Sequence, residues 1–428
     1  MRRLAALLTL TLLGPSSLGC EGIRNEANAD LPVWKNRAGW VMQLEYKRDL
    51  AAPSRKTGEP YERGEPEIDA RGRRVFVGSS DGALYALSAP EGDPLWRFQT
   101  LSFVQSSPYY DRKENVLYFG SHDGAFYKVD ADSGRLIWRL STRAEVARRP
   151  ILSAGLVYLA NANDTIIAAD AATGQIRWSH HRTPAMGMEI AGYSGTLLFN
   201  GLVYMGFSDG TVSAFDAISG EERWQPVDLA AEAEEATGEV PKYLDVDTTP
   251  ELVATKDGWA VVVGSYVGGV YALEPRVGTI LWTNSNIRGV SDVGYYEEPA
   301  HVVEGIERPQ RRMLLVSTGS SGLWALDPVD GSVIWHRDLP AGGVSRPVAI
   351  SGAILINASQ QGTYLLSPVD GSLIDGIHLD DGASGTPAAL GQHAFVMTNG
   401  GSLLALRLNV PSAHIETPPS EHRALEGF

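Results

Sequence analysis

The chain predicts an all-β fold, an eight-bladed β-propeller of four-stranded antiparallel blades, closed by an N-terminal strand that completes the last blade. Three observations lead there. Short alternating β-rich runs flank turn dipeptides such as Asp123-Gly124, where glycine supplies the positive φ of a primed hairpin turn. A second turn and then a tryptophan close the unit, as in Val116–Trp138 with its Asp132-Ser133-Gly134 turn. The unit recurs at a spacing of roughly 40 to 58 residues, which is the period of propeller blades.

In chain order, Met1-Arg2-Arg3 is a short positive segment, Leu4–Leu13 is apolar and Gly14–Gly19 is rich in small residues. That order reads as an export signal over residues 1–19, too short to span a bilayer. Ser17-Leu18-Gly19-Cys20 resembles a bacterial lipobox, which implies that Cys20 carries acyl chains and starts the mature protein. Several chains on one cysteine make a stable anchor, whereas a single chain binds only marginally. Glu21 follows where an inner-membrane retention signal would place Asp, so the expected location is the periplasmic face of the outer membrane. Residues 20–37 then form a lipid-anchored tether, and 38–409 the propeller.

Trp40–Tyr46 alternates like a strand, and 47–65 is a loop rich in charge, Pro and Gly. Seven complete units follow, ending at Trp96, Trp138, Trp178, Trp224, Trp282, Trp335 and, where a tryptophan is expected, Asp375. An eighth unit, Ala394–Leu408, lacks its last strand, which the orphan strand Trp40–Tyr46 supplies. Pairing the two ends of the chain leaves no open sheet edge in the ring. The recurrent tryptophans are read as packing between blades. Pro66, Pro108, Pro150, Pro250, Pro299, Pro347 and Pro387 precede the first run of their units, and the fourth unit has Gly192-Tyr193-Ser194 instead. The acidic insert Ala230–Ala236 is a solvated loop or short helix, and 410–428 is a flexible tail.

Composition narrows function. Hydrophobic residues make up 43% and charged residues 20% of the 428, as in ordinary globular domains. The net charge of −15 argues against nucleic acid, which requires a clustered basic face. Cys20 is the one cysteine, which leaves no disulfide, thiolate metal site or CxxC motif. Gly78-Ser79-Ser80-Asp81-Gly82 and Gly206-Phe207-Ser208-Asp209-Gly210 match the G-x-S-x-G pattern. Both fall in a hairpin between two strands, without the following helix that a nucleophile elbow needs. Asp130-Ala131-Asp132-Ser133-Gly134 lacks the later ligands of a calcium loop, and the nine histidines show no zinc spacing. No catalytic residue, metal or cofactor is expected.

The D-A-x-T/S-G-x-x-x-W turns, such as Asp130–Trp138 and Asp170–Trp178, are similar to the PQQ-type propeller repeat. Quinoprotein dehydrogenases with that repeat hold their cofactor with a vicinal cysteine pair and a calcium ion, and this chain has neither the cysteines nor the roofing insertions. A dehydrogenase-like propeller or a periplasmic ligand sensor using the central funnel is the alternative reading.

The stretch Ala236-Thr237-Gly238 followed by Leu244-Asp245-Val246-Asp247-Thr248-Thr249-Pro250 resembles the BamB family, propeller lipoproteins of the outer-membrane β-barrel assembly machinery. The resemblance covers the signal, the cysteine, the eight blades and this D-V-D-T-T-P string. It implies a non-enzymatic scaffold that docks on the POTRA domains of BamA and assists outer-membrane proteins, with unfolded clients as further partners. The implied docking residues are Asp245 and Asp247, with Met188 and Ile190 one blade earlier; the arginine of the family's earlier loop falls on Ala191. Two residues apart on a short strand, Asp245 and Asp247 share a face and suit a partner's Arg or Lys. The same residues also fit a local role, the aspartates capping turns and the apolar pair lying in the core.

Overall fold

The computed structural model describes residues 41–409 apart from 51–61, 184–193, 239–242, 244, 267, 304–305 and 340–341. Eight four-stranded antiparallel sheets follow one another around a ring. Within the first seven, strands a to d run in sequence order, as in blade two with Tyr109–Asp111, Val116–Ser121, Ala125–Asp130 and Leu136–Ser141. The a strands of several neighbouring blades touch one another, which places them innermost. In blade two strand b is buried along its whole length and strand c up to its last residue, whereas the d strand is exposed apart from half-buried Trp138 and Leu140. A strand covered by sheets on both faces reads as continuous hydrophobic sequence, and an outer strand shows the period of two.

Eight separate hydrophobic clusters fill the ring among the described residues, one between each pair of adjacent blades. The cluster between blades eight and one joins Phe395 and Leu403 to Val75 and Leu87, so no interface is left open. Closure is made by Met42–Asp49, which pairs antiparallel with Ser402–Leu408 as the d strand of blade eight.

The tryptophans do lie between blades. Each ring sits on the glycine of the next blade's c–d turn: a Cβ on Gly134 would come within 2.6 Å of the Trp96 ring, and one on Gly174 within 2.8 Å of Trp138. Those glycines also have φ of +68° and +72°, so the position needs glycine for two reasons. The indole N–H of Trp96, Trp138 and Trp178 donates to the carbonyl of Ala131, Ala171 and Ala217 at 3.0–3.1 Å.

Asp375 replaces tryptophan because its neighbour is the closing blade. That blade has no c–d turn, since its c and d strands come from opposite ends of the chain. The carboxylate, fully buried, instead accepts hydrogen bonds from the amides of Val41 and Met42, both at 2.7 Å.

Pro299 departs from the expectation for the prolines. It lies after the a strand of blade six, Val290–Glu298, and before a protruding hairpin of His301–Val303 and Ile306–Arg308. The register of Val293 with Val316 puts valine where the other blades have proline. The long a strand continues into the b strand's full partner, Arg311–Thr318, and a proline inside it would remove a ladder donor.

Candidate docking site

The connections between blades share one face of the ring with the b–c turns. The amides of Val104, Val146, Val246 and Val344 bond to carbonyls at the start of those turns, at Ser79, Ser121, Phe207 and Thr318. Besides 50–66, which leads from the closing strand into blade one, the long connections are 182–195 into blade four and 229–250 into blade five. Of these last two, the first carries Met188 and Ile190.

The second begins with a helix, α1 (Leu229–Thr237). Its residues are almost all strong helix formers. The Asp228 side chain caps the N-terminus by accepting from the amide of Ala231, and Gly238 ends it in the left-handed region at φ 73°. Leu229 and Ala233, one turn apart, are buried, with Leu229 in the cluster that contains Val246 and Tyr271. The acidic insert is therefore helix, with its glutamates outward.

Within Asp245–Pro250, half of the residues serve the repeat. Val246 fills the space beside Gly206, where a Cβ would come within 2.4 Å of the Val246 carbonyl. The Thr248 hydroxyl accepts from the Gly264 amide at 2.8 Å, as Ser106 accepts from Gly120 and Ser345 from Asn357. Pro250 precedes the a strand. What remains particular to this connection is Asp245, Asp247 and Thr249.

The shared strand face expected for Asp245 and Asp247 is not formed. Residues 245–247 belong to no strand, because their backbone is divided between two blades. The Val246 amide bonds to Phe207 of blade four, while the Asp245 carbonyl accepts from Tyr266 of blade five at 3.4 Å. Asp245 is only 4% exposed, and its Oδ1 has no hydrogen-bond partner among the described residues. Burial, then the nearby charges of Asp247 and Asp164, push its carboxyl up to about 7. Asp247 is half-buried, and its carbonyl accepts from the Arg148 guanidinium at 3.0 Å.

Cys20, Met188 and Ile190 lie outside the described residues. The connection carrying Met188 and Ile190 does rejoin the structure against Asp245–Pro250. The Ser194 hydroxyl donates to the Thr248 carbonyl at 3.1 Å, and a Cβ on Gly195 would come within 2.3 Å of the Thr249 hydroxyl. Gly195 takes the place of proline here because Thr249 fills that space. The two connections named from sequence therefore meet.

Residues that sequence reasoning missed surround them. Tyr266, in the b–c turn of blade five, is 49% exposed and packs edge-on to Tyr243 with ring centroids 5.8 Å apart. Asp164, in the turn that has Asn163-Asp164 for Asp-Gly, is buried and accepts from the Ser208 hydroxyl and amide. Its departure from the turn consensus was the legible signal. The serine of the second G-x-S-x-G string is thus committed to a carboxylate acceptor.

Toward the axis, ion pairs link distant blades. Arg148 bonds Asp292 of blade six at 2.9 Å, and Arg346 pairs with Glu251 of blade five and lies 3.9 Å from Asp292. Arg149 grips Glu67 of blade one through two bonds of 2.7 and 2.9 Å, a bidentate geometry. Salt bridges thus cross the ring where a funnel ligand would sit.

The family model described as outer membrane protein assembly factor BamB matches residues 112–336 and 267–410, well over half of the chain. This chain belongs to the BamB family. A Yersinia pestis protein named outer membrane protein assembly factor BamB is 25% identical over 291 residues, covering 68% of this chain and 57% of that relative. The matched stretch is therefore little more than half the relative's length. Among solved structures, BamB from Moraxella catarrhalis superposes with a TM-score of 0.65 at 15% identity, covering 86% of this chain and all of that one. Quinohemoprotein alcohol dehydrogenase from Comamonas testosteroni superposes nearly as well, at TM-score 0.61 and 11% identity over 86% of this chain and 76% of that one. At such identities the likeness is one of fold, and fold alone does not assign chemistry. Among the described residues, no helix is long and apolar enough to cross a membrane.

Proposed function

We propose that this chain is a non-enzymatic scaffold of outer-membrane β-barrel assembly, lipid-anchored through Cys20 at the periplasmic face of the outer membrane. In this reading a rigid disc docks on the POTRA domains of a BamA-like protein and helps outer-membrane proteins fold and insert. Membership of the BamB family is the observation that carries it. The docking surface is the face bearing the two long connections, with Met188 and Ile190 on one and Asp245 and Asp247 on the other. The meeting of those connections at Ser194 and Thr248 supports a single site. Because Asp245 is buried, its contribution is to set the shape and charge of the connection, and Asp247 is the carboxylate nearer a partner.

The rival reading, a quinone or ligand site on the axis, is less favoured. The salt bridges of Arg148, Arg149 and Arg346 occupy that region, and removing one member leaves a charge without its partner. Binding of the purified protein to the purified POTRA domains of the same organism tests the proposal. Saturable binding that weakens in Asp247→Ala is expected. No binding up to about 100 μM, an affinity too weak to hold a complex, would overturn it.

A further inference from the structure

The last turn of α1 is arranged against its own stability. Glu232, Glu234 and Glu235 are all exposed, and no cation pairs with any of them among the described residues. Glu234 and Glu235 stand in the last turn, which contains no basic residue, so they face the negative end of the helix dipole. Glu232 and Glu235, three residues apart, are like charges on neighbouring positions. Elsewhere the exposed turns of this protein do recruit cations: Asp81 pairs with Arg97, Asp170 with Arg177 and Asp216 with Arg223, at 2.7–2.9 Å. Local rules broken without local compensation are characteristic of functional surfaces.

The helix is continuous with an aromatic patch. Leu229 of the helix and Tyr271 of blade five share one hydrophobic cluster. The b–c turn just before Tyr271 presents Tyr266, half-exposed beside Tyr243. The Tyr266 amide bonds to Asp245, whose buried carboxylate has an oxygen without a donor among the described residues. That acceptor is independent of the helix, and with the charges of Asp247 and Asp164 beside it it makes the ground beneath the Tyr266 turn acidic as well.

We propose that the acidic face of α1 and the ring of Tyr266 form one docking surface for an arginine- and lysine-bearing protein surface. Arginine suits both halves, since its guanidinium bonds carboxylates and stacks on tyrosine. The inference rests on the assembly reading above and makes the partner the basic face of the POTRA domains.

The test compares wild type with Glu232→Lys/Glu234→Lys/Glu235→Lys, with Tyr266→Ser, and with Glu91→Lys/Glu221→Lys on the opposite rim as a control for positive charge added elsewhere. Affinity for the purified POTRA domains is measured at low and high salt, together with Tm. The triple reversal should weaken binding about tenfold or more at low salt, because like charges now face each other. That loss should shrink at high salt, where exposed charges are screened. Its Tm should change little, since lysines at 234 and 235 suit the helix C-terminus while the reversal at 232 gives up a favourable first-turn carboxylate; a merely structural role would lower it clearly. Tyr266→Ser should weaken binding about fivefold, and the control should not change it. Unchanged affinity in both the triple reversal and Tyr266→Ser, or an equal loss in the control, overturns this inference while leaving the assembly reading standing. Failure of wild type to bind overturns both.

Discussion

Tyr46 takes the place of tryptophan at the one interface where the chain joins its own beginning to its end. A Cβ on Gly92 would lie 2.4 Å from the Tyr46 ring, and the Tyr46 hydroxyl donates to the Ala89 carbonyl at 2.8 Å. Trp96 uses Gly134 and Ala131 in the same way. The phenol lies above its usual range, chiefly through burial, and remains a donor at any physiological pH. Tyr46 is half-buried, so Tyr46→Ala should cost about 2–3 kcal/mol, below the loss for a fully buried aromatic. Tyr46→Phe should cost only about 1 kcal/mol, for one hydrogen bond. Urea unfolding of the two variants checks this; equal losses would mean that the hydroxyl, not the ring, closes the seam.

Asp375 guards the adjoining interface. Its Oδ2 accepts from two amides of the closing strand, and Oδ1 accepts from Gly376. Asp375→Ala strands buried donors at about 1–3 kcal/mol each, so the first segment to open should be Met42–Asp49. Hydrogen exchange should show faster exchange in that strand than in blades two to four. Asp375→Trp should not rescue stability, because blade eight offers no c–d glycine to receive the ring.

Asp245 makes stability fall as pH rises. Its carboxyl is pushed from the ordinary 3.8 up to about 7, so between about pH 4 and 7 the folded chain holds a proton that the unfolded chain has released. The favourable state is the protonated one, fully present below the unfolded value and lost through about 7. Asp245→Asn should flatten that slope and stabilise the protein at pH 8 by about 1–3 kcal/mol, the cost of a buried unsatisfied group. Urea unfolding at pH 5, 6.5 and 8 measures it; parallel pH profiles for variant and wild type would refute the burial argument.

Across the axis, Arg346 balances Glu251 and Asp292. Arg346→Met should destabilise by about 3 kcal/mol, because it leaves Glu251 without its cation, while Asp292 keeps Arg148. Adding Glu251→Gln should recover at least half of that loss. Thermal melts of the single and double variants give the coupling directly, and simple additivity would show that the pair does not interact.

Much of this was legible beforehand. Blade number, the shared eighth blade and the role of the tryptophans followed from turn glycines and a period of two, which depend on residues only a few positions apart. The docking string was legible as a string, but half of it, Val246, Thr248 and Pro250, turned out to be repeat machinery shared with other blades. Pro299 misled because an inserted hairpin moved the proline beyond its strand.

The sequence by itself determined the all-β repeat, the ring and the family, because alternation, turn chemistry and spacing are local properties written into every unit. Only the tertiary structure decided that Asp245 is buried and Asp247 half-buried, that α1 turns three glutamates outward beside Tyr266, and that Tyr46 and Asp375 close the ring. Those outcomes depend on partners from other blades, in some cases more than 300 residues away. Burial, and the charge interactions that burial strengthens, are fixed only when distant segments meet.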